Sequence, residues 1–239
     1  MKLKDLKLDY PVDTRAIAQG FSKNAVATYA ANGLKGHSGI DFQITWGQPI
    51  YSASRGLGVA YKAFNRDSKD PGKYKAACGL IELEDCVVEL TYGHCDQILC
   101  DEGPLSPREK IATVGNTGEV YYGTELVTTT EKLRGSKRGA HLHFQMRVCY
   151  PKKSTAHDDF TLQDGEGMTY IHDGYYLTYK QNGFNGCIDP TLYFVEQNPV
   201  DIAEAIVKNI ATSDIPAKQK DSLYEQIKKI LGMWGQFWK

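Results

Sequence analysis

The sequence predicts a mainly β fold: an antiparallel β-sheet domain with loop insertions, followed by a small helical appendage at the C-terminus. Between residues 36 and 150, short apolar runs alternate with turns rich in glycine, as in "KIATVGNTGEV". Short strands at such close spacing are typical of antiparallel sheets. After residue 198 the apolar residues are spaced three or four apart, which is the period of an α-helix.

The sheet domain is predicted to span residues 1–197 and to contain two insertions, at about 121–138 and 151–185. Both segments are polar and glycine-bearing, and each is predicted to be an excursion from the sheet, with room for a hairpin of its own. Long insertions often line functional clefts, although a plain surface loop is an equal alternative. The second insertion carries tyrosines that either form a substrate-facing wall or are ordinary sheet residues: Tyr170, Tyr175, Tyr176 and Tyr179.

Residues 198–239 are predicted to form two helices. Ile202, Ile206 and Ile210 make an apolar stripe on the first helix. The second ends in a cluster of large apolar side chains, formed by Met233, Trp234, Phe237 and Trp238. These residues either pack back on the sheet domain, which we favour, or bind a membrane surface, a protein partner or a second copy of the chain.

Composition excludes some classes of partner. The chain has 239 residues, a net charge of −1 and 24% charged residues, so no basic surface predicts binding to nucleic acid. No run of 18 apolar residues predicts a transmembrane segment. The N-terminus lacks the apolar core of a signal peptide, so we expect a product made in the cytoplasm.

The six cysteines include no C-x-x-C pair, which argues against a structural zinc knuckle. In a reducing compartment they are expected to be free or buried thiols. Cys78 with Cys86, or Cys95 with Cys100, could instead pair across a hairpin, and the sequence leaves that open.

Histidines and one aspartate form the candidate site. His141 and His143, in "GAHLHFQMR", lie two apart and share one face of a strand. His37 and Asp41, in "GHSGIDF", also share a face if that segment is extended. Two imidazoles and a carboxylate can hold zinc with one position open for water. His94, in "TYGHCD", could move a proton or stabilise a developing oxyanion, and spacing alone lets any three of the five residues be the ligands.

Three motifs in a fixed order, "GHSGIDF", "TYGHCDQI" and "HLHFQMR", resemble the motif set of the lysostaphin-type zinc metallopeptidases, which cleave peptidoglycan. Three further segments resemble supporting pieces of that family: "GQPIYSASRGLGVAY", "EKIATVGNTG" and "CIDPTLYF". The resemblance covers roughly residues 10–150 and 186–195. One motif alone would be weak, whereas the ordered set is specific.

The resemblance implies that His37, Asp41 and His143 bind one Zn²⁺ ion per chain. It also implies that His141 is the general base and that His94 orients or stabilises the tetrahedral intermediate. The sequence departs from the family pattern at Cys95, where leucine is common, and at the two insertions, which puts substrate preference in doubt.

The function expected from this resemblance is zinc-dependent hydrolysis of peptide bonds in peptidoglycan. Without an apparent export signal, we expect a bacteriophage endolysin or a lysin on the virion tail, acting at the cell wall. The alternatives are a non-catalytic cell-wall-binding or virion assembly module of the same fold, and a protease acting on proteins. Two N-terminal residues, Asn24 and Tyr29, are weaker candidates for the cleft, and His157 and His172 are predicted to be surface residues.

Overall fold

The computed structural model describes residues 1–22, 27–31, 33–153, 162–171, 175–195 and 219–221. The chain divides into two units, Met1–Phe194 and Val195–Lys239. Of the second unit only Val195 and residues 219–221 are described, and residues 219–221 are helical. The predicted C-terminal helices therefore lie almost entirely outside the described residues, and their boundary at residue 197 stays a prediction.

The described part of the first unit consists mainly of short strands. In chain order they are β1 Ile17–Gln19, β2 Ile40–Phe42, β3 Pro49–Tyr51, β4 Gly58–Phe64, β5 Ala76–Glu82, β6 Val87–Gly93, β7 Cys95–Ile98, β8 Gly103–Pro104, β9 Lys110–Val114, β10 Tyr121–Tyr122, β11 Glu125–Leu126, β12 Leu142–Lys153, β13 Glu166–Tyr170, β14 Tyr175–Lys180 and β15 Cys187–Ile188. Two short helices, α1 Ala27–Ala31 and α2 Thr129–Leu133, accompany them, with 3-10 turns at Leu3–Asp5 and Pro190–Leu192.

The main sheet follows the order β1-β2-β12-β6-β5-β4-β8, and every pair of neighbouring strands in it is antiparallel. A second sheet has the order β3-β9-β7. The prediction of a mainly antiparallel β fold is thus confirmed.

The centre of the main sheet is buried on both faces. All seven residues of β6 are buried, because β5 and β12 pair with its two edges and its side chains are covered above and below. Leu90 and Tyr92 face a core that also takes Phe144 and Met146 from β12. Ile111 of the second sheet belongs to the same apolar cluster, so both sheets share one core.

The insertion at 121–138 does leave the main sheet. Its β10 and β11 pair only with each other among the described strands, and α2 follows them. The helix begins with a capping box, in which the Thr128 side chain accepts from the Glu131 main-chain N–H and the Glu131 side chain accepts from the Thr128 N–H. Capping of this kind satisfies main-chain N–H groups at the start of this five-residue helix.

The second insertion, at 151–185, differs from the prediction because much of it continues the sheet. β12 runs on to Lys153, and β14 pairs with Tyr150–Lys153, beyond Cys149, the last residue that β6 reaches. β13 then pairs with β14 as a hairpin. Residues 154–161 and 172–174, which include His157 and His172, lie outside the described residues.

All six cysteines are buried free thiols, so the structure forms neither of the two disulfides that the sequence left open. Among the described residues, no helix is long and apolar enough to span a bilayer.

Candidate active site

The three predicted metal ligands converge at one edge of β12. Asp41 is the middle residue of β2, and His143 lies directly opposite it on β12. His37 precedes β2 in an irregular segment rather than on an extended strand. The chain bends between His37 and Ile40, and this bend, not a shared strand face, returns the His37 ring to Asp41.

The donor atoms of these residues form a small triangle. His37 Nε2 lies 3.1 Å from Asp41 Oδ1, and His143 Nδ1 lies 2.9 Å from each of those atoms. A tetrahedral zinc ion with bonds of about 2.0–2.1 Å holds its ligand atoms about 3.3 Å apart, so the triangle has nearly the required size. In the described part of the chain, no other group of three His, Cys, Asp or Glu residues meets as closely.

The position of the proton on the His37 ring also favours a cation at this site. His37 Nδ1 faces the Gly20 carbonyl at 3.3 Å, so the neutral ring carries its proton there and leaves a lone pair on Nε2. That lone pair points at the Asp41 carboxylate, which is likewise an acceptor. Converging lone pairs repel unless a proton or cation lies between them, and two imidazoles with a carboxylate are a donor set that suits zinc. The residues therefore fit the implied metal.

Asp41 is held in its charged form. Burial acts to raise the pKa of its carboxyl, but the close contacts of the carboxylate with the His143 and His37 rings outweigh burial and hold the pKa well below its usual range. The Asp41 side chain is only 15% exposed, and the side chains of His37 and His143 are 3% and 13% exposed. A carboxylate that stays charged although it is largely buried is available as a metal ligand at any moderate pH.

The two other histidines stand beside this triangle. His141 immediately precedes β12, and its Nε2 lies 3.6 Å from Asp41 Oδ1. His94 connects β6 to β7 with a φ of 60°, a left-handed conformation that histidine adopts more readily than most residues. The ring centroids of His94 and His141 are 4.5 Å apart. The structure thus brings all five predicted residues together.

Each of these two rings is oriented by a main-chain carbonyl. His141 Nδ1 lies 2.8 Å from the Gly139 oxygen, and His94 Nδ1 lies 2.7 Å from the Thr117 oxygen. The carbonyls only accept, so both rings carry their proton on Nδ1 and leave Nε2 free as a base.

The environment keeps both rings neutral. Burial lowers the pKa of His94 well below its ordinary value, and the neighbouring rings of His141 and His143 lower it further. Burial also lowers the pKa of His141, although the Asp41 carboxylate opposes that effect. Neutral imidazoles with a free Nε2 can accept protons near neutral pH.

Two tyrosines belong to the walls of this site. Tyr29, a weak candidate from sequence, stacks on His37 with ring centroids 5.8 Å apart, and burial raises its pKa. Tyr74, which sequence reasoning missed, stands edge-on to His94 at 5.0 Å. A Cβ on Gly93 would collide with the Tyr74 hydroxyl, so the glycine of "TYGH" makes room for that ring. Asn24 lies outside the described residues.

The tyrosines of the second insertion are not part of this cluster. Tyr170 and Tyr176 contact each other at 5.4 Å, and Tyr179 covers Arg147. Their hairpin pairs with β12 at residues 150–153, which at about 3.3 Å per residue lie about 23–33 Å along the strand from His143. The structure therefore places the predicted tyrosine wall away from the candidate site.

Comparison with known proteins was made for sequence and for fold. No protein-family model matches the sequence. Over 145 residues the chain is 31% identical to the peptidoglycan DD-endopeptidase ShyB of Vibrio cholerae serotype O1. That match covers 58% of this chain, and the chain spans 27% of the length of that relative. A solved structure of Helicobacter pylori Csd3 aligns with 97% of this chain and 43% of its own, at 17% identity and a TM-score of 0.38.

Proposed function

We propose that this chain is a zinc-dependent endopeptidase that hydrolyses peptide bonds in bacterial peptidoglycan. The observation that carries the proposal is the triangle of His37, Asp41 and His143 donor atoms, 2.9–3.1 Å apart, with two neutral histidines beside it. The similarity to a peptidoglycan DD-endopeptidase supports the substrate class.

In this proposal His37 Nε2, Asp41 Oδ1 and His143 Nδ1 hold the ion. Zinc, when bound in such a three-ligand set, acts as a Lewis acid and makes a water molecule acidic enough to supply a nucleophile near neutral pH. His37 is almost completely buried, which restricts the movement of its ring, and Asp41 is held in its charged form.

His141 acts as the general base. Its Nε2 is unprotonated, since Nδ1 donates to the Gly139 oxygen, and it lies 3.6 Å from Asp41 Oδ1, directly beside the triangle. It accepts the proton of the attacking water and then, as imidazolium, donates that proton to the leaving amine. The Asp41 carboxylate stabilises the imidazolium in between.

His94 orients the water. Its free Nε2 can accept a second hydrogen bond from the same water, while the Thr117 carbonyl keeps the ring from turning. Because burial and the adjacent histidines depress its pKa, His94 stays neutral when His141 takes up the proton. This division gives the two histidines different roles although both present Nε2.

Such an enzyme acts at the cell wall, where its substrate lies. The narrower assignment to a bacteriophage endolysin or virion-associated lysin stays a prediction of the sequence analysis. Binding of a partner or a second copy through residues 198–239 likewise stays a prediction.

Digestion of purified peptidoglycan, followed by mass spectrometry of the released fragments, tests the proposal. The full-length chain is expected to release peptides with new amine termini, and their masses identify the bond. A chelator and the His141→Ala variant should each remove this activity, the variant by about 10²- to 10⁴-fold, as is typical for loss of a general base. His157→Ala, which removes an imidazole that the sequence predicts to be a surface residue, is the matched control.

Intact peptidoglycan of several chemical types after incubation with zinc-loaded protein would contradict the proposal. Binding to the wall without cleavage would then support the non-catalytic module. Cleavage of unfolded proteins but not of peptidoglycan would support the general protease.

A further inference from the structure

The turn Gly115–Gly118, in the segment "VGNTG", lies between β9 and the first insertion. It contacts His94 and His141, the two site histidines that are not part of the metal triangle. We infer that this turn positions the two histidines, with Thr117 fixing His94 and Asn116 fixing His141. Both are positioning residues, since neither side chain contacts the metal triangle. The inference rests on the proposed function for its catalytic consequence, although its structural content can be measured separately.

Thr117 holds the His94 ring through its main-chain oxygen, which accepts from His94 Nδ1 at 2.7 Å. The Thr117 hydroxyl fixes where that oxygen lies. It donates to the Cys95 oxygen at 2.9 Å and accepts from the Lys75 N–H at 3.1 Å. Cys95 is the residue after His94, so one threonine ties both the ring and the main chain of the His94 segment to the turn. Thr117 is only 3% exposed.

Asn116 acts on His141 through the main chain that precedes it. Its side chain is fully buried, and Nδ2 donates to the Ser136 oxygen at 3.0 Å and to the Arg138 oxygen at 2.9 Å. Two carbonyl acceptors allow only one orientation of the amide. The next residue, Gly139, supplies the oxygen that accepts from His141 Nδ1, so the amide fixes the chain that carries this acceptor.

The turn also meets His141 directly, since the Gly115 oxygen accepts from the His141 main-chain N–H at 3.3 Å. A single four-residue turn is therefore joined to the segments of both histidines. The chemical consequence is a choice of tautomer. Without a fixed acceptor at Nδ1, a neutral imidazole can carry its proton on Nε2, and the nitrogen that faces the metal ligands then no longer acts as a base.

Nitrogen-15 NMR of the histidine rings in the full-length chain, recorded metal-free and with added zinc, tests the inference. In the unchanged protein both His94 and His141 should be protonated on Nδ1. In Asn116→Ala, His141 should populate both tautomers while His94 keeps its own. The rate constant kcat should fall about 10- to 100-fold, as for outer-shell partners of other site histidines, with KM and zinc content unchanged.

Thr117→Val provides the reciprocal test, because valine keeps the shape of threonine and removes both hydroxyl hydrogen bonds. It should change the His94 tautomer and leave His141 as it is. Asn182→Ala is the matched control, since Asn182 also donates to a main-chain carbonyl, that of Cys187, in a loop that does not contact either ring. Both rings should be unaffected in that variant.

Wild-type tautomers for both rings in folded Asn116→Ala and Thr117→Val proteins would overturn the inference, as would identical changes of both rings in the two variants. If Asn116→Ala does not fold, Asn116→Ser retains one donor and should give a smaller change at His141, and no change there would equally overturn it. Because the NMR readout needs no turnover, altered tautomers without peptidoglycan cleavage would uphold the positioning and reject the proposed function.

Discussion

At the scale of single residues, the face of the sheet that bears His143 also buries an ion pair. Arg147 of β12 lies opposite Glu89 of β6, and its guanidinium donates to that carboxylate at 2.8 Å. The Tyr61 hydroxyl donates to the other carboxylate oxygen, and the Tyr179 ring covers the guanidinium at 4.5 Å. The two charged side chains are 17% and 4% exposed, so each depends on the other for compensation.

Removing one residue of the Arg147–Glu89 pair should therefore lower the free energy of unfolding more than removing both charges. Arg147→Met leaves the Glu89 carboxylate buried without its counter-ion and should lower the free energy of unfolding by about 3–5 kcal/mol. Adding Glu89→Gln to that variant should recover part of the loss, because the uncompensated charge disappears. Urea unfolding of the single and double variants measures this, and a double variant less stable than Arg147→Met would contradict it.

At the scale of elements, two turns contain glycines in the left-handed conformation that differ in the room beside them. Gly118 has a φ of 75°, and a Cβ there would approach the Tyr74 main chain to 2.9 Å. Gly123, in the turn between β10 and β11, has a φ of 64° and nothing within 4 Å of such an atom. The two positions share the backbone requirement and differ in packing.

Alanine substitutions at these two glycines separate backbone strain from crowding. Gly123→Ala should lower the free energy of unfolding by about 1–2 kcal/mol, the usual penalty of a left-handed conformation for an L-residue. Gly118→Ala should lower the free energy of unfolding by about 1–3 kcal/mol more, because Tyr74, which precedes β5, must shift. Denaturant unfolding of both variants gives the comparison. Equal decreases in the free energy of unfolding would show that Tyr74 moves without cost and that packing does not fix the turn.

The sequence predicts elements well where a segment carries its own pattern. "VVELTYG" and "HLHFQMR" combine β-forming residues with bordering turns, and both are central strands. The pairing of β14 with the end of β12 was not predictable, because it depends on how many residues β12 extends beyond its pairing with β6. The same holds for Tyr74, whose place beside His94 follows from the pairing of β5 with β6 rather than from a nearby motif.

At the scale of the whole molecule, the six buried thiols make the stability of the fold depend on pH. All are buried, and burial raises the pKa of every one, to about 12 for Cys78 and Cys95 and about 11 for Cys86 and Cys187. An unfolded chain ionises its thiols near pH 8.5. Between these values the unfolded state has released protons that the folded state still binds.

The free energy of unfolding should therefore fall as the pH rises from about 8.5 towards 11, because ionisation of the thiols then favours the unfolded chain. Below pH 8 this source of instability is absent. Denaturant midpoints from pH 7 to 10 measure the decline. At pH 8, a thiol reagent should modify the folded protein slowly and all six cysteines once it is unfolded. Rapid modification of any cysteine in the folded protein would contradict the buried arrangement.

The candidate site as a whole could be predicted from sequence only as a set of residues. The order of the three motifs indicated His37, Asp41, His94, His141 and His143, and the structure brings those five together. Their geometry could not be predicted, because the segment after His37 is an irregular bend rather than a strand and the carbonyl that orients His94 belongs to Thr117, which is 23 residues away in sequence.

The zinc content of single-residue variants tests the central claim most directly, because three of the five residues are proposed to be ligands, one the general base and one the residue that orients the water. Metal analysis of the purified full-length chain should give one zinc per chain, nearly none in His143→Ala, and one again in His141→Ala and His94→Ala. Those last two variants should nevertheless lose peptidoglycan cleavage. Loss of zinc from His141→Ala together with full retention in His143→Ala would contradict the assignment of ligands and base.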